Sequence, residues 1–320
     1  MAPVSTAGPP DPTLNAPLAA FAGAPPPAPA WFREVLAAAP EAGSLTVAGA
    51  RIETLSWGER GRPGLLLLHG SGAHAGWWRF IAPFLADGHR VAALSWSGMG
   101  GSDWREAYGL DLFADEAERA AEAAGLFAAG PPLMVGHSFG SLPMLALAGR
   151  SGPRWRGAVL VDPPIFSPER RHRPARGDGA ARTHRVYPTL AEALARFRFA
   201  PVQPCDTPYI ADLIARESLK PVAGGFTWRF DPALWGRLRL PDRAALVGAA
   251  RCPLALVCGA RSDLMRPADA AYVTRLLPAG SPRIDVPEAY HHVMVDQPLA
   301  FVAALRALLA AWPGERSRPA

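Results

Sequence analysis

The feature that most constrains the fold is a short run at residues 133–142, Leu-Met-Val-Gly-His-Ser-Phe-Gly-Ser-Leu. Three apolar residues suited to a strand lead into a Gly-x-Ser-x-Gly pentapeptide centred on Ser138, and a segment rich in Leu, Ala and Met follows. A strand, a sharp turn with serine at its tip and a helix form the arrangement known as a nucleophile elbow. The pentapeptide also occurs in ordinary strand–turn–helix units, so its meaning depends on the rest of the chain.

Strands and helices alternate on both sides of this run. A hairpin is predicted at 45–57, and helices are predicted at 31–39, 77–86 and 111–129. Continuous apolar runs predict buried strands at 64–69, 91–94, 133–135 and 158–162. Such alternation predicts an α/β fold with a mostly parallel central sheet flanked by helices.

The alternation breaks between residues 163 and 250, where Pro and Arg are frequent and no strand is evident. Short helices are predicted there near 189–199, 208–219 and 232–248. Strands then resume at 254–259 and 283–286, with helices at 267–277 and 298–311. The interruption predicts an inserted helical cap above the carboxyl ends of the strands, where open α/β sheets bind ligands.

The chain therefore divides into four kinds of segment. The α/β core is assigned to residues 31–162 and 251–312, the cap to 163–250 and a short tail to 313–320. Residues 1–30 are dominated by Pro and Ala and are expected to form an extended or disordered arm. That arm lacks the pattern of a secretory signal, and the chain has no apolar run of membrane-spanning length, so we expect a cytoplasmic protein.

Composition excludes several classes of function. The three cysteines, Cys205, Cys252 and Cys258, are too few and too irregularly spaced for a disulfide framework or a zinc site. The formal charge is +5, but the basic cluster from Arg170 to Arg176 has no aromatic residues interleaved with it. We therefore expect no nucleic-acid partner, no metal and no cofactor, and the oligomeric state stays open.

With these elements in order, the chain resembles the α/β-hydrolase fold family, and its cap-bearing branch in particular, from about residue 45 to 311. Four motifs carry the resemblance: His69-Gly70 after a buried strand, the glycine-rich loop at 98–102, the elbow at 136–140 and the segment His-His-Val-Met-Val-Asp-Gln-Pro at 291–298. One departure is Ser95, because the family usually has an Asp three residues before Gly98. The resemblance implies the α/β-hydrolase fold with Ser138 as nucleophile.

A serine hydroxyl needs an adjacent base, and histidine is suited to that role near neutral pH. In the family the histidine stands five residues before an acidic residue and seven before a proline. His291 meets both spacings through Asp296 and Pro298. Its neighbour His292 is expected to pack or to bond to the backbone, and His137 is expected to point away from the site.

Two carboxylates are candidates for the group that orients the histidine. The common family location is a Gly-x-x-Asp turn, but here Ser262 occupies that place and Asp263 comes one residue late. The second location is the end of the strand after the elbow helix, where Asp162 stands. Family members with Gly-x-x-Ser at the later turn tend to use the earlier carboxylate, so we prefer Asp162 and keep Asp263 as the alternative.

The resemblance also places an oxyanion hole at the backbone N–H groups of Ser71 and Phe139, which would stabilise a tetrahedral intermediate. The cap that selects the substrate is harder to read, and bulky apolar residues in loops and cap are candidates for its walls. They are Trp77, Trp78, Met99, Phe139, Phe226, Trp228 and Trp235.

A serine at the elbow argues against haloalkane dehalogenases and epoxide hydrolases of this fold, which use Asp there. The preferred hypothesis is a serine hydrolase that cleaves a small, fairly apolar carboxylic ester or lactone through an acyl-enzyme intermediate. The same residues suit a C–C bond hydrolase or a cofactor-free haloperoxidase or perhydrolase. An alternative of another class is a ligand-binding or receptor protein without useful turnover.

Overall fold

A computed structural model describes residues 16–170 and 183–312 of the chain. Ten strands occur in these ranges, and eight of them belong to one sheet. In chain order they are β1 (Glu41–Val47), β2 (Ala50–Trp57), β3 (Gly64–Leu68), β4 (Arg90–Leu94), β5 (Leu133–His137), β6 (Gly157–Val161), β7 (Leu219–Val222), β8 (Gly225–Trp228), β9 (Leu254–Gly259) and β10 (Arg283–Val286).

The strand order across the sheet is β1-β2-β4-β3-β5-β6-β9-β10. From β4 to β10 in this order all neighbouring strands run parallel, whereas β2 runs antiparallel to both of its neighbours, β1 and β4. β3 and β5 lie at the centre and are buried along their whole length, as their continuous apolar sequences predict. The predicted mostly parallel sheet is confirmed, and the carboxyl ends of its central strands meet at one edge.

Helices cover both faces of the sheet. Because successive side chains of a strand point to opposite faces, Leu65 and Leu67 join one hydrophobic cluster while Leu66 and Leu68 join the other. The helices of the described residues are α1 (Ala30–Ala37), α2 (Pro83–Ala86), α3 (Leu110–Ala123), α4 (Ser141–Ser151), α5 (Leu190–Leu194), α6 (Pro208–Glu217), α7 (Leu234–Arg237), α8 (Arg243–Ala249), α9 (Pro267–Leu276), α10 (Val293–Asp296) and α11 (Pro298–Ala311).

Two predicted helices are broken into shorter pieces. The segment 77–86 consists of a 3₁₀ turn at Ala75–Trp78 followed by α2, which has Pro83 in its first turn. The segment 232–248 contains α7 and α8, separated by Pro241. Proline is tolerated only in the first turn of a helix, so each break follows from where the proline lies.

The region between β6 and β9 is not purely helical, and the prediction that it lacks strands is wrong. β7 and β8 pair antiparallel, with Val222 opposite Gly225. The connection is the two-residue turn Ala223-Gly224, and Gly224 has a positive φ of 83°. Glycine adopts that conformation without a steric penalty, so the pair of glycines at 224–225 was the overlooked hairpin signal.

The amino-terminal segment packs over its described part against helices of the region between β6 and β9. Leu18 is 2 % exposed and belongs to a hydrophobic cluster of the core. Arg216 on α6 donates a hydrogen bond of 2.7 Å to the carbonyl oxygen of Gly23. The prediction of an extended or disordered arm therefore fails for residues 16–29, while residues 1–15 and the predicted tail 313–320 lie outside the described ranges.

The basic cluster is described only at its start. Arg170 forms an ion pair of 2.8 Å with Asp269 on α9, and its guanidinium lies over the ring of Phe166. The cluster's remaining residues, 171–176, lie outside the described ranges. Among the helices of the described residues, none has the length and apolar character needed to cross a membrane.

Candidate active site

Ser138 lies at the tip of a sharp turn between β5 and α4, with its backbone in the left-handed region at φ 50°. Close approach of the chain on both sides makes this turn possible. A Cβ atom at Gly136 would lie 2.9 Å from the carbonyl oxygen of Gly140, and one at Gly140 would lie 2.6 Å from the carbonyl oxygens of Leu68 and His69. Real Cβ atoms do not approach so closely, so the turn accepts only glycine at both places.

Ser138, His291 and Asp162 form a continuous chain of hydrogen bonds. Nε2 of His291 lies 2.9 Å from Oγ of Ser138, and Nδ1 of His291 lies 2.7 Å from Oδ2 of Asp162. With an ionised carboxylate on one side, Nδ1 carries the proton and Nε2 accepts from the serine hydroxyl. All three side chains are buried, with Asp162 completely shielded from solvent. The structure thus brings together the three residues that the sequence analysis preferred.

Asp162 follows β6 directly, and its backbone is also left-handed, at φ 46°. Its Oδ1 accepts the N–H of Gly259 at 3.1 Å, and its Oδ2 accepts the hydroxyl of Ser262 at 2.7 Å. Together with the imidazole of His291, these donors fix the orientation of the carboxylate. The alternative acid, Asp263, is exposed to solvent, and the imidazole bonds to Asp162 instead.

Ser262 is a residue of the site that the sequence analysis did not assign. It stands where many family members carry the acid, and its hydroxyl bonds to the carboxylate that takes the acid's place. Its Oγ also accepts the backbone N–H of Met265 at 3.0 Å, which fixes the hydroxyl within the turn. The Gly-x-x-Ser pattern at 259–262 was the sequence signal for this contact.

Two further imidazoles lie against His291. The ring centroids of His137 and His292 are each 4.8 Å from that of His291. Nε2 of His137 donates to the carbonyl oxygen of His291 at 3.1 Å, so the prediction that His137 points away from the site is wrong. Burial, with a smaller effect from His291, lowers the pKa of both His137 and His292 well below the usual range, so both rings stay neutral.

His292 has the packing role that was expected of it. Its ring lies 5.3 Å from that of Trp77 and 5.0 Å from that of Phe199. Both ring nitrogens are buried and have no hydrogen-bond partner among the described residues. Its backbone N–H, in contrast, donates to Oε1 of Gln203 at 3.0 Å, which links the histidine segment to the region between β6 and β9.

The three imidazoles are also the group of described residues that comes closest to a metal-binding arrangement. One nitrogen of each of His137, His291 and His292 lies within 4.8 Å of the others. A metal ion would need all three at about 2.1 Å. Both nitrogens of His291 already bond to Ser138 and Asp162. A bound metal would therefore displace one of those contacts.

The loop after β3 passes directly beside Ser138. A Cβ atom at Gly70 would lie 3.1 Å from Cβ of Ser138. His69 anchors this loop, since its Nδ1 donates to the Gly70 carbonyl and its Nε2 accepts the N–H of Trp96. Ser71 follows Gly70, and Phe139 follows Ser138. The two N–H groups predicted to form an oxyanion hole thus belong to the two segments that border Ser138.

A comparison with known families decides the relationship. The family model described as the alpha/beta hydrolase family matches residues 65–305 of the chain. The matched range includes the elbow, both candidate acids and the histidine segment. The chain belongs to the alpha/beta hydrolase family.

Relatives of this alpha/beta hydrolase agree with the assignment. Esterase Rv0045c of Mycobacterium tuberculosis is 28 % identical over 274 residues, which cover 82 % of this chain and 87 % of that protein. The thioesterase domain from the curacin biosynthetic pathway superimposes with a TM-score of 0.71 at 24 % identity, covering 85 % of this chain and 100 % of that one. A crystal structure of esterase Rv0045c gives a TM-score of 0.62 at 24 % identity, covering 94 % and 98 %. At these identities the structural matches establish the fold.

The hydrolase departs from the family pattern at Ser95, and Glu53 supplies the carboxylate instead. Oγ of Ser95 donates to Oε2 of Glu53 at 2.6 Å and accepts the N–H of Ala75 at 2.9 Å. The same oxygen of Glu53 accepts the N–H of Gly101 at 2.9 Å. A carboxylate from β2 therefore anchors the glycine-rich loop. The sequence analysis missed it because Glu53 lies on β2, far along the chain from Ser95, which follows β4.

Two of the predicted wall residues of the hydrolase contact residues of the site. Trp235 on α7 packs edge-on against Phe139, with ring centroids 5.2 Å apart, and is 42 % exposed. Trp77 packs against the ring of His292. Trp78 and Met99, in contrast, are almost completely buried in the core clusters. Aromatic side chains from both the sheet core and the region between β6 and β9 therefore pack beside Ser138 and the histidine segment.

Proposed function

We propose that this protein is a serine hydrolase that cleaves a small, fairly apolar carboxylic ester or lactone through an acyl-enzyme intermediate. The observation that carries the proposal is the chain of hydrogen bonds from Ser138 through His291 to Asp162, at 2.9 and 2.7 Å. Membership of the alpha/beta hydrolase family and the 28 % identical esterase of Mycobacterium tuberculosis support it.

In the first half-reaction, Oγ of Ser138 attacks the substrate carbonyl carbon while Nε2 of His291 takes the hydroxyl proton. The carbonyl oxygen becomes an oxyanion, which accepts from the backbone N–H groups of Ser71 and Phe139. Each such donor contributes roughly 3 kcal/mol to the transition state. When the tetrahedral intermediate collapses, the imidazolium gives its proton to the leaving alkoxide, and the acyl group stays on Ser138.

In the second half-reaction, water attacks the acyl carbon and gives a proton to Nε2 of His291. Collapse of this intermediate returns the proton to Ser138 and releases the carboxylic acid. Asp162 remains ionised throughout, because its role is to hold the Nδ1 tautomer and to stabilise the imidazolium. The bonds from Gly259 and Ser262 keep that carboxylate in place during both steps.

The preference for an apolar substrate rests on the side chains beside the nucleophile. Phe139 and Trp235 form one apolar contact next to Ser138, and Trp77 with Phe199 lies next to the histidine segment. The region 163–250, which we propose as the cap, contributes Trp235 and Phe199. Burial of an acyl chain against such rings provides hydrophobic stabilisation without a charged partner.

Labelling with a fluorophosphonate probe and turnover of short p-nitrophenyl esters test the proposal. We expect one adduct, on Ser138, and ester hydrolysis that Ser138→Ala abolishes while its unfolding temperature stays close to that of the wild type. Absence of both labelling and turnover in a folded protein would overturn the proposal. Cleavage of a diketone without ester hydrolysis would assign the same residues to C–C bond hydrolysis.

Trp235→Ala tests the apolar wall separately. Because this side chain is partly exposed, we expect little change in stability but a higher KM for esters with longer acyl chains. Trp104→Ala is a matched control, since Trp104 is exposed to a similar degree, 44 %, and packs on His184 rather than on Phe139. An unchanged KM in Trp235→Ala would remove this residue from the substrate-binding surface.

A further inference from the structure

One buried amide of the cap joins two points of the segment that carries His291. Oε1 of Gln203 accepts the backbone N–H of His292 at 3.0 Å, and Nε2 of Gln203 donates to Oδ1 of Asp296 at 2.7 Å. The second carboxylate oxygen of Asp296 accepts the backbone N–H of Tyr290 at 2.8 Å. The backbone donors on either side of His291 are therefore held by one pair of side chains.

The orientation of this pair is dictated by the groups around it. The N–H of His292 is a donor, so it requires the oxygen of the Gln203 amide. An ionised Asp296 is an acceptor, so it requires the nitrogen of that amide. Gln203 is 5 % exposed, and water is therefore a poor substitute for either partner.

The contact belongs to a longer junction between cap and histidine segment. We call residues 201–207 the bridging segment. Besides Gln203, it contributes Thr207, whose hydroxyl donates to the carbonyl oxygen of Val295 at 2.9 Å. Val295 lies on α10, directly after the histidine. Two side chains of the bridging segment thus bond to the short stretch between Tyr290 and Asp296.

We propose that Gln203 and Asp296 are positioning residues for His291, so that seating of the bridging segment and alignment of the catalytic imidazole are a single event. The inference rests on the proposed function, because it assigns His291 the role of base. Neither residue touches the reacting atoms. They act by fixing the backbone at 290–292, and displacements of about 1 Å at a catalytic group cost up to roughly a hundredfold in rate.

The test is a polarity exchange between isosteric side chains. In Asp296→Asn, the new amide nitrogen faces Nε2 of Gln203, so two donors oppose each other. Rotating the Gln203 amide by 180° would relieve that clash but would place its nitrogen opposite the N–H of His292, which is also a donor. In Gln203→Glu, two carboxylates face each other. The double variant Gln203→Glu with Asp296→Asn restores a partner for every donor and acceptor, including the N–H of Tyr290.

We expect each single variant to lower kcat for a p-nitrophenyl ester by roughly tenfold or more, with a much smaller change in KM. The double variant should recover to within about threefold of the wild type. The measurements are made at pH 8, since burial raises the pKa of Asp296 to about 7 and its ionised form accepts both bonds.

A readout without turnover separates positioning from general stability. The Nδ1 proton of His291, bonded to the buried Asp162, is followed by its low-field proton NMR resonance and assigned with His291→Gln. We expect this resonance to shift or broaden in both single variants and to return in the double variant. Tyr108→Phe is the control, because it removes a different buried bond to the cap, the one to Asp231 at 2.8 Å. It should lower stability without moving the resonance.

Unchanged kcat and resonance in the two single variants would overturn the inference, and so would a folded double variant that fails to recover. If the wild type neither turns over esters nor reacts with a fluorophosphonate, the proposed function fails. The NMR comparison of the four proteins still decides whether Gln203 and Asp296 position His291.

Discussion

The hydroxyl oxygen of Ser262 lies 2.7 Å from Oδ2 of Asp162, the same carboxylate oxygen that accepts the Nδ1 proton of His291. Ser262 marks the place after β9 where many family members carry their acid, and Asp162 marks the place after β6. In this protein the two places meet at one hydrogen bond, because β6 and β9 are neighbours in the sheet. A carboxylate at position 162 or at position 262 would therefore lie in the same group of hydrogen-bonded side chains.

Asp162→Asn should lower kcat by roughly ten-thousand-fold, because the amide favours the wrong tautomer of His291 and does not stabilise the imidazolium. Asp263→Asn is the matched control and should retain near-wild-type activity, since Asp263 is exposed. Steady-state ester hydrolysis by both variants provides the measurement. Near-full activity in Asp162→Asn would show that the assignment of the acid is wrong.

Moving the carboxylate to position 262 should restore part of the lost activity. In the Asp162→Asn background, Ser262→Asp places a carboxylate at position 262, whose hydroxyl bonds to Asp162 in the wild type. We expect recovery of roughly ten- to a hundredfold of the ten-thousandfold loss. Ser262→Asn in the same background has a similar shape without the charge and should recover nothing. Equal rates for the two double variants would contradict the prediction.

The elbow should not tolerate a methyl group at Gly140. A Cβ atom there would lie 2.6 Å from the carbonyl oxygens of Leu68 and His69, so Gly140→Ala forces β3 and the elbow apart. We expect a loss of about 1–3 kcal/mol in the free energy of unfolding, together with lower activity.

Gly248→Ala provides the control for that variant, because beyond its own helix backbone no atom of the described residues lies within 4 Å of the added Cβ. Gly248 lies in α8, where alanine is favoured by up to about 1 kcal/mol. Chemical denaturation of the two variants should therefore give changes of opposite sign. A stable and active Gly140→Ala protein would contradict the packing described for the elbow.

Buried histidines should make the fold sensitive to acid. Burial lowers the pKa of His69 to about 3 and that of His74 to about 4, and it holds the pKa values of His137 and His292 well below the usual range. Each would take up a proton in the unfolded chain near its ordinary pKa of 6.5. The free energy of unfolding should therefore be greatest above pH 6.5 and fall toward pH 4, by about 1.4 kcal/mol per pH unit for each ring.

Asp296 opposes this trend, because burial raises its pKa to about 7 and the folded state holds a proton that the unfolded state releases. Its contribution to the pH dependence of stability cancels that of one of the four imidazoles. Denaturant unfolding between pH 4.5 and 8 gives the net slope. His74→Asn should reduce that slope by one proton, because the variant lacks the titrating imidazole. Its side-chain oxygen can still accept the N–H of Gly76, which Nδ1 of His74 accepts in the wild type. A wild-type stability that is flat across this range would contradict the prediction.

Local patterns, together with the resemblance to the α/β-hydrolase family, were sufficient to predict the fold and the three hydrogen-bonded residues Ser138, His291 and Asp162. The elbow, the buried strands and the spacing around His291 are short-range features, and the mostly parallel sheet and the family membership are confirmed. The catalytic roles of Ser138, His291 and Asp162 stay predictions until the variants are measured.

The residues that were missed have partners far away in the chain. Glu53 on β2 contacts Ser95 at the end of the neighbouring strand β4, and Gln203 contacts Asp296 from the region between β6 and β9. Such contacts depend on how segments are placed in space, which no spacing rule reports. The β7–β8 hairpin was missed for a different reason, since two strands of four residues carry too few alternating positions to distinguish a strand from a short helix.

Two of the three hydrogen-bonded residues of the site, Ser138 and Asp162, have left-handed backbones, a conformation that glycine adopts more easily. Each costs roughly 1 kcal/mol or more of folding free energy. At Asp162 this cost is offset by the hydrogen bonds that its carboxylate accepts from Gly259, Ser262 and His291, which glycine could not accept. Ser138 has no such set of bonds to the turn, so selection for stability alone would favour glycine at position 138. A natural relative with that change should be inactive and should unfold at a higher temperature than this protein.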